Sequence, residues 1–167
     1  WGDAPQPHRR CDLASICRSS HRLKGLILGA EDLAADVGMT RTKMGQELLY
    51  ARSAMVMHAA AFGLQAIDMV QTDFKNLELL LAESHQAAEL GFSGKQIIHP
   101  AQVETVHQVF TPSPAAIEKA LKVVTGAQTA QESGKGAYSL DGEMVDMPVV
   151  KKAESILAQA RAAGLLD

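Results

Sequence analysis

Residues 25–38 read GLILGAEDLAADVG. Leu26 to Ala30 carry no charge, and Glu31, Asp32 and Asp36 then arrive within six positions. A short apolar run bounded by glycines reads as a buried strand. In α/β folds chemistry gathers at the carboxyl ends of strands, and these acids fall at such an end. Gly29 lets the backbone bend, or pass close to a ligand, without a Cβ clash. Carboxylates at a buried rim are costly unless paired, hydrogen-bonded or bound to a cation. Magnesium suits the position, because it takes oxygen ligands and uses one or two protein carboxylates together with waters and substrate. In the other reading Glu31 and Asp32 begin a loop, with Asp36 solvated or capping a helix, and the local pattern alone slightly favours it.

Working outward, the flanks alternate. CDLASICRSSHR, residues 11–22, reads as a short helix. Residues 42–62 carry Leu48, Met55, Val56, Ala59 and Phe62 at helical spacing, and Gly63 is a natural stop. LQAIDMV (64–70) is the next strand. Leu77, Leu80, Leu81, Ala87 and Ala88 form one helical stripe closed by Gly91. GKQIIHP (94–100) is a third strand, cut off by Pro100, and residues 101–110 supply a helix. Alternation at this spacing means βαβ units on a parallel sheet with right-handed crossovers. The character then changes. A long helix has Pro114 near its start, residues 132–148 are Gly-rich and polar without a repeat, and residues 149–164 form an amphipathic helix. The expected organisation is an irregular leader with a short helix over 1–23, an α/β body over 24–111, and a helical extension over 112–167.

Composition excludes several classes. The 167 residues are 47% hydrophobic and 21% charged with a net charge of -3, ordinary for a soluble globular domain. Nothing in that charge calls for nucleic acid or an anionic membrane, and 4% aromatics leave little for base stacking. No apolar run is long enough for a bilayer. Cys11 and Cys17 match no common zinc spacing, which fits a reduced intracellular compartment, cytoplasmic or mitochondrial matrix. The first residue is Trp1, and WGDAPQPHRRC reads as a loose leader or foreign junction. These features point to a processed or partial product.

Other polar residues carry two readings each. Asp68, within the second strand, is a hydrogen-bonded strand-end carboxylate or a site residue. Asp73 reads as the N-cap of the following helix. His99, before Pro100, either touches a ligand or bonds to backbone. GFSGKQ (91–96) lacks the phosphate-loop pattern, and Lys95 enters a strand instead of a helix. His58, His85 and His107 lie on helices without partners at metal-binding spacing and read as structural. Asp146 is flanked by Met144, Val145, Met147 and Pro148. An apolar setting there would raise its pKa and suit it to proton transfer, whereas the local pattern favours an N-cap with Pro148 in the first turn.

Taken together, GLILGAEDLAADVG, LLYARS, AFGLQAIDMV, GFSGKQIIHPAQV and GKGAYSLDGEMVDMP occur in an order and spacing that resembles the citrate lyase beta-subunit-like group of the HpcH/HpaI aldolase superfamily. That group includes citramalyl-CoA and malyl-CoA lyases. The resemblance covers residues 25 to about 155. It implies a magnesium-dependent carbon–carbon lyase on a TIM-type (β/α)8 barrel. Such an enzyme cleaves a 3-hydroxyacyl-CoA thioester into an acyl-CoA and a 2-oxo acid such as glyoxylate or pyruvate. By the same resemblance Asp32 is the metal ligand, Glu31 its neighbour in the site, and His99 and Pro100 lie by the thioester-binding cleft. Asp146 resembles the acid/base residue of a C-terminal lid that reaches across a homotrimer.

A full barrel needs eight strands and about 250 residues, and three βα units are legible here. The resemblance is therefore to the C-terminal portion. The family's second metal-binding glutamate and its substrate-binding arginine would lie before residue 1. Asp3, Asp12, Arg9, Arg10 and Arg18 match neither motif. A second reading follows, in which the half-barrel is a non-catalytic module that oligomerises or regulates.

Overall fold

The structure is a computed structural model that describes residues 12–43, 45–132 and 137–167. The leader and Cys11 lie outside these residues. The chain divides into two compact units, residues 1–110 and 111–167.

In the first unit, α1 (Leu13–Arg18), capped by Asp12 through Ser15 N, precedes β1 (Gly25–Ile27). Next come α2 (Ala30–Val37), a 3-10 turn over Gln46–Leu48, and α3 (Leu49–Ala61). β2 (Gln65–Asp68), α4 (Leu77–Leu90) and β3 (Gly94–Lys95) follow. A 3-10 turn over Pro100–Gln102 leads into α5 (Val103–Phe110). The three strands form one parallel sheet in the order β1-β2-β3, with Ile27 opposite Ile67 and Asp68 opposite Lys95. Parallel pairing puts all three carboxyl ends on one edge. The α/β alternation expected from the sequence is present, and the apolar stripes that define the helices pack against the sheet. Met55 and Ala59 of α3, Ala66 of β2, Ala87 of α4 and Phe92 pack together, with Leu26, Val56 and Leu90 against them. A smaller cluster of Ala30, Leu48 and Met69 closes the carboxyl edge. Each buried residue of Leu or Met size contributes about 1.5–3 kcal/mol by leaving water.

Three expectations are corrected here. Glu31 and Asp32 begin a helix and not a loop. Both sit in the first turn of α2, where acids favour the positive end of the helix dipole. Asp73 is not the N-cap of α4. Asn76 is, accepting from Leu79 N at 3.0 Å, while the Asp73 carbonyl accepts from Asn76 N at 2.9 Å. The third strand is two residues long, and Pro100 opens a 3-10 turn whose fixed φ suits that start.

The second unit holds α6 (Pro114–Glu132), α7 (Met147–Ala162) and, between them, a hairpin of β4 (Tyr138–Leu140) and β5 (Glu143–Val145). The sequence reading left that stretch without structure. Its turn is Asp141-Gly142, both with positive φ (51° and 85°), the backbone that a tight antiparallel hairpin needs. Ile117, Ala120 and Val123 of α6 pack with Val145 and with Val150, Ala153, Leu157 and Ala160 of α7. The Tyr138 hydroxyl donates to the Val123 carbonyl, and its ring covers Gly126, where a Cβ would lie 2.6 Å from ring atoms. Only glycine permits that contact.

Candidate functional site

At the carboxyl edge, β1 runs through Leu28 and Gly29 into α2. Asp32 is exposed. Its Oδ2 lies 3.2 Å from where a Cβ on Gly29 would stand, so the carboxylate folds back over the strand exit into space that glycine leaves open. Glu31, beside it, is engaged. Arg41 Nε donates to Glu31 Oε1 at 3.0 Å, and Arg41 Nη1 to Glu47 Oε1 at 2.6 Å. Glu47 also accepts from Thr42 Oγ1 (2.7 Å) and Thr42 N (2.9 Å). The Thr42 hydroxyl first, then the Thr42 N–H, and with them Arg41 hold the Glu47 carboxyl down at about 2. Partial burial works against the Arg41 charge, yet the two carboxylates outweigh it and its pKa is raised. Glu31, Arg41, Thr42, Gln71, Thr72 and Asp73 line a cleft of about 250 Å³.

Behind this rim lies a buried charge network. Asp68 is 0% exposed and receives a two-pronged bond from Arg52, Nε to Oδ1 at 3.0 Å and Nη2 to Oδ2 at 2.9 Å. Lys95 Nζ donates to the same Oδ2 at 3.2 Å. It also lies 3.1 Å from Glu83 Oε2, an ion-pair approach without hydrogen-bond geometry, since that oxygen has no hydrogen-bond partner. Arg52 Nη1 donates to Gln86. Two cations and two acids are thus matched inside the unit, as buried charge requires.

The remaining expected residues sit elsewhere. His99 Nδ1 accepts from Ala101 N at 3.1 Å, and its ring stacks on Phe74 at 4.6 Å between centroids. Its bond to backbone is therefore real, and Nε2 has no hydrogen-bond partner among the described residues. Pro100 forms the first turn after it. Neither borders the cleft that holds Glu31. His58 bonds to its own helix at Ala54 O (2.7 Å). Asp146 belongs to the second unit, where it is exposed and caps α7 by accepting from Val149 N at 3.3 Å, with Pro148 in the first turn.

Sequence reasoning missed Arg41, Glu47, Arg52 and Gln71. A signal existed for Arg52, which falls four residues after Leu48 and three before Met55, on the buried stripe of α3. An arginine on an apolar stripe demands a buried acid, and Asp68 was the acid inside a strand.

Among the described residues no three His, Cys, Asp or Glu side chains converge as a metal cluster. The donor set fits one ligand position for a hard cation. Asp32 has no hydrogen-bond or ion-pair partner among the described residues, whereas Glu31 is committed to Arg41. No described helix is long and apolar enough to cross a membrane.

A parallel α/β sheet with acidic side chains gathered at its carboxyl edge defines a class that sequence comparison sharpens. The profile of the HpcH/HpaI aldolase/citrate lyase family matches residues 11–100, and the chain belongs to that family. It is 44% identical over 138 residues to the mitochondrial citramalyl-CoA lyase of Rattus norvegicus, an alignment covering 83% of this chain and 41% of that protein. It is 37% identical over 152 residues to citrate lyase subunit beta of Escherichia coli (strain K12), covering 91% and 50%. The crystal structure of CitE from Mycobacterium tuberculosis in complex with magnesium, acetoacetate and coenzyme A superposes with a TM-score of 0.73 at 32% identity. That match covers 91% of this chain and 57% of the other. The chain spans about half the length of the curated relatives it matches.

Proposed function

We propose that this chain is the C-terminal part of a TIM-type (β/α)8 barrel with a C-terminal lid, and that it carries part of the active site of a magnesium-dependent carbon–carbon lyase. The substrate class is a 3-hydroxyacyl-CoA thioester of citramalyl-CoA or malyl-CoA type, and the products are an acyl-CoA and a 2-oxo acid. The observation that carries the reading is the Asp32 carboxylate, which has no partner among the described residues and lies over Gly29 at the strand exit, in a chain of this family.

In this reading Asp32 holds the metal. Glu31, fixed by Arg41, shapes the wall beside it and does not compete for the metal. Magnesium, when bound, supplies Lewis-acid polarisation of the 2-oxo acid oxygen and a template for its carboxylate. Cleavage removes a proton from the 3-hydroxyl and returns one to the acyl carbon. Asp146 is the carboxyl assigned to that proton. One of its oxygens is occupied by Val149 N, which orients the group and leaves the other oxygen for exchange. His99 and Pro100 border the thioester side. The lid acts across a homotrimer, so Asp146 serves a neighbouring copy.

The test offers malyl-CoA and citramalyl-CoA with magnesium to this chain, and follows glyoxylate and pyruvate release together with light scattering. Turnover would mean that this chain by itself builds a working site and would name the substrate. Asp32→Ala should abolish magnesium binding measured by calorimetry, and Asp146→Asn should lower turnover with substrate binding nearly intact. Unchanged magnesium binding in Asp32→Ala would remove Asp32 from the site. One observation favours a second reading. Ile27, a strand residue, is 61% exposed, so this sheet has an apolar face that seeks cover. A folded oligomer without turnover would make the chain an oligomerising or regulatory half-barrel.

A further inference from the structure

Gln71 lies just beyond the carboxyl end of β2 and is 3% exposed. Its neighbours decide which way its amide points. Gln102 accepts from Ile98 N (2.9 Å) and His99 N (3.2 Å) through one side-chain atom. Two backbone donors converging on that atom make it the oxygen, so the Gln102 nitrogen is the donor end. That nitrogen donates to Gln71 O (3.2 Å) and to Gln71 Oε1 (3.3 Å). The Gln71 oxygen is therefore spent, and its Nε2, with two N–H groups, is buried with no partner among the described residues. Buried amide donors are almost always paired in native proteins. This one belongs to a residue that borders the cleft with Glu31, Arg41 and Thr42.

We propose that Gln71 is a ligand-binding residue whose Nε2 donates to a carbonyl oxygen of the molecule held in this cleft. The charge of the lining favours a neutral acceptor. Three carboxylates, Glu31, Asp73 and Glu83, line the cleft against two cations, Arg41 and Lys43, and Arg41 is already bound to Glu31 and Glu47, so an anionic group would enter a lining with an excess of negative charge. A neutral donor with an inflexible orientation reads position and hydrogen-bonding character. The identity of the molecule rests on the lyase reading above, in which both a thioester and a 2-oxo acid carry such a carbonyl.

The experiment uses the 15N-labelled chain in magnesium buffer. The Gln71 side-chain NH2 pair is assigned by its loss in Gln71→Glu, which keeps an oxygen toward Gln102 and replaces the free donor by a second oxygen. Acetyl-CoA and pyruvate are titrated separately. A saturable shift of the Gln71 pair with one probe is expected, with at least tenfold weaker binding of that probe to Gln71→Glu. The probe that moves the pair names the source of the carbonyl. If backbone amides around Asp32 respond while the Gln71 pair stays still and Gln71→Glu binds equally well, the proposal is overturned and the lyase reading stands. If no resonance responds to either probe, the lyase reading falls and this proposal with it. Should Gln71→Glu fail to fold, the wild-type pair, assigned through its contacts with Gln102, decides alone.

Discussion

Asp32, in the first turn of the helix that follows β1, and Asp68, at the end of the neighbouring strand β2, are the same chemical group, yet they live in opposite environments. Asp68 ends β2, has no exposed surface and is clamped by Arg52 and Lys95. Asp32 stands one helical turn past β1, exposed, above a glycine, with no partner among the described residues. The first is what a folded chain does with a carboxylate it must bury. The second is a carboxylate left available. On the proposed reading, the difference separates structure from function at the same edge of the sheet.

The largest effect expected comes from breaking the first member of the pair. Asp68→Ala strands Arg52 and Lys95 in a water-free interior, so urea unfolding should register a loss of about 3–5 kcal/mol. Against a domain stability of about 5–15 kcal/mol that loss approaches unfolding. A loss below about 1 kcal/mol would mean that water reaches the network and that Asp68 is no more committed than Asp32.

Asp32→Ala sharpens the contrast. It removes a first-turn acid from α2, worth about 0.3–1 kcal/mol by the helix dipole. Without magnesium the two chains should unfold within that margin. With magnesium the wild type should gain thermal stability by mass action and the variant should not. Equal gains would place the cation elsewhere.

The smallest expected effect concerns the rim beside Asp32, where Arg41 joins Glu31 to Glu47. Glu47 has an ordinary value of 4.5 and is held near 2 by Thr42 and Arg41. A folded-state pKa below the unfolded one favours the ionised fold. The contribution is therefore complete above about pH 4.5 and is lost as pH falls toward about 2. The melting temperatures of wild type and Glu47→Gln should differ most near neutrality and converge across that window. A constant gap would show that the loop is held by packing and not by the charge of Glu47.

These two acids also mark how far the sequence could be read. The strand-helix-strand order was visible because apolar runs bounded by glycine, and stripes such as Leu77, Leu80, Leu81 and Ala87, are local patterns set by backbone periodicity. Gly63 and Gly91 stop their helices as their spacing suggested, both with positive φ. The helix Ala30–Val37 was hidden, because its acids invited a loop reading although acids in a first turn are a helix-start signal. The hairpin Tyr138–Val145 was hidden because Asp141-Gly142 lay within a Gly-rich stretch that lacked alternation. Asn76 took the cap from Asp73 because the turn Thr72–Asn76 delays the helix by three residues.

Sequence alone determined the alternation, the parallel sheet, the family and the identity of the acids worth testing, because each depends on neighbours along the chain or on motif order. Only the tertiary structure decided which acid is spent. Arg52, Asp68 and Lys95 come from three different elements, separated by 16 and 27 positions, and no local rule predicts that they meet. The same holds for Gln71 and Gln102, 31 positions apart. Their mutual bond turns an ordinary glutamine into a buried donor with one end free, and a side chain's polarity acquires direction only when the partner that consumes its other end is in place.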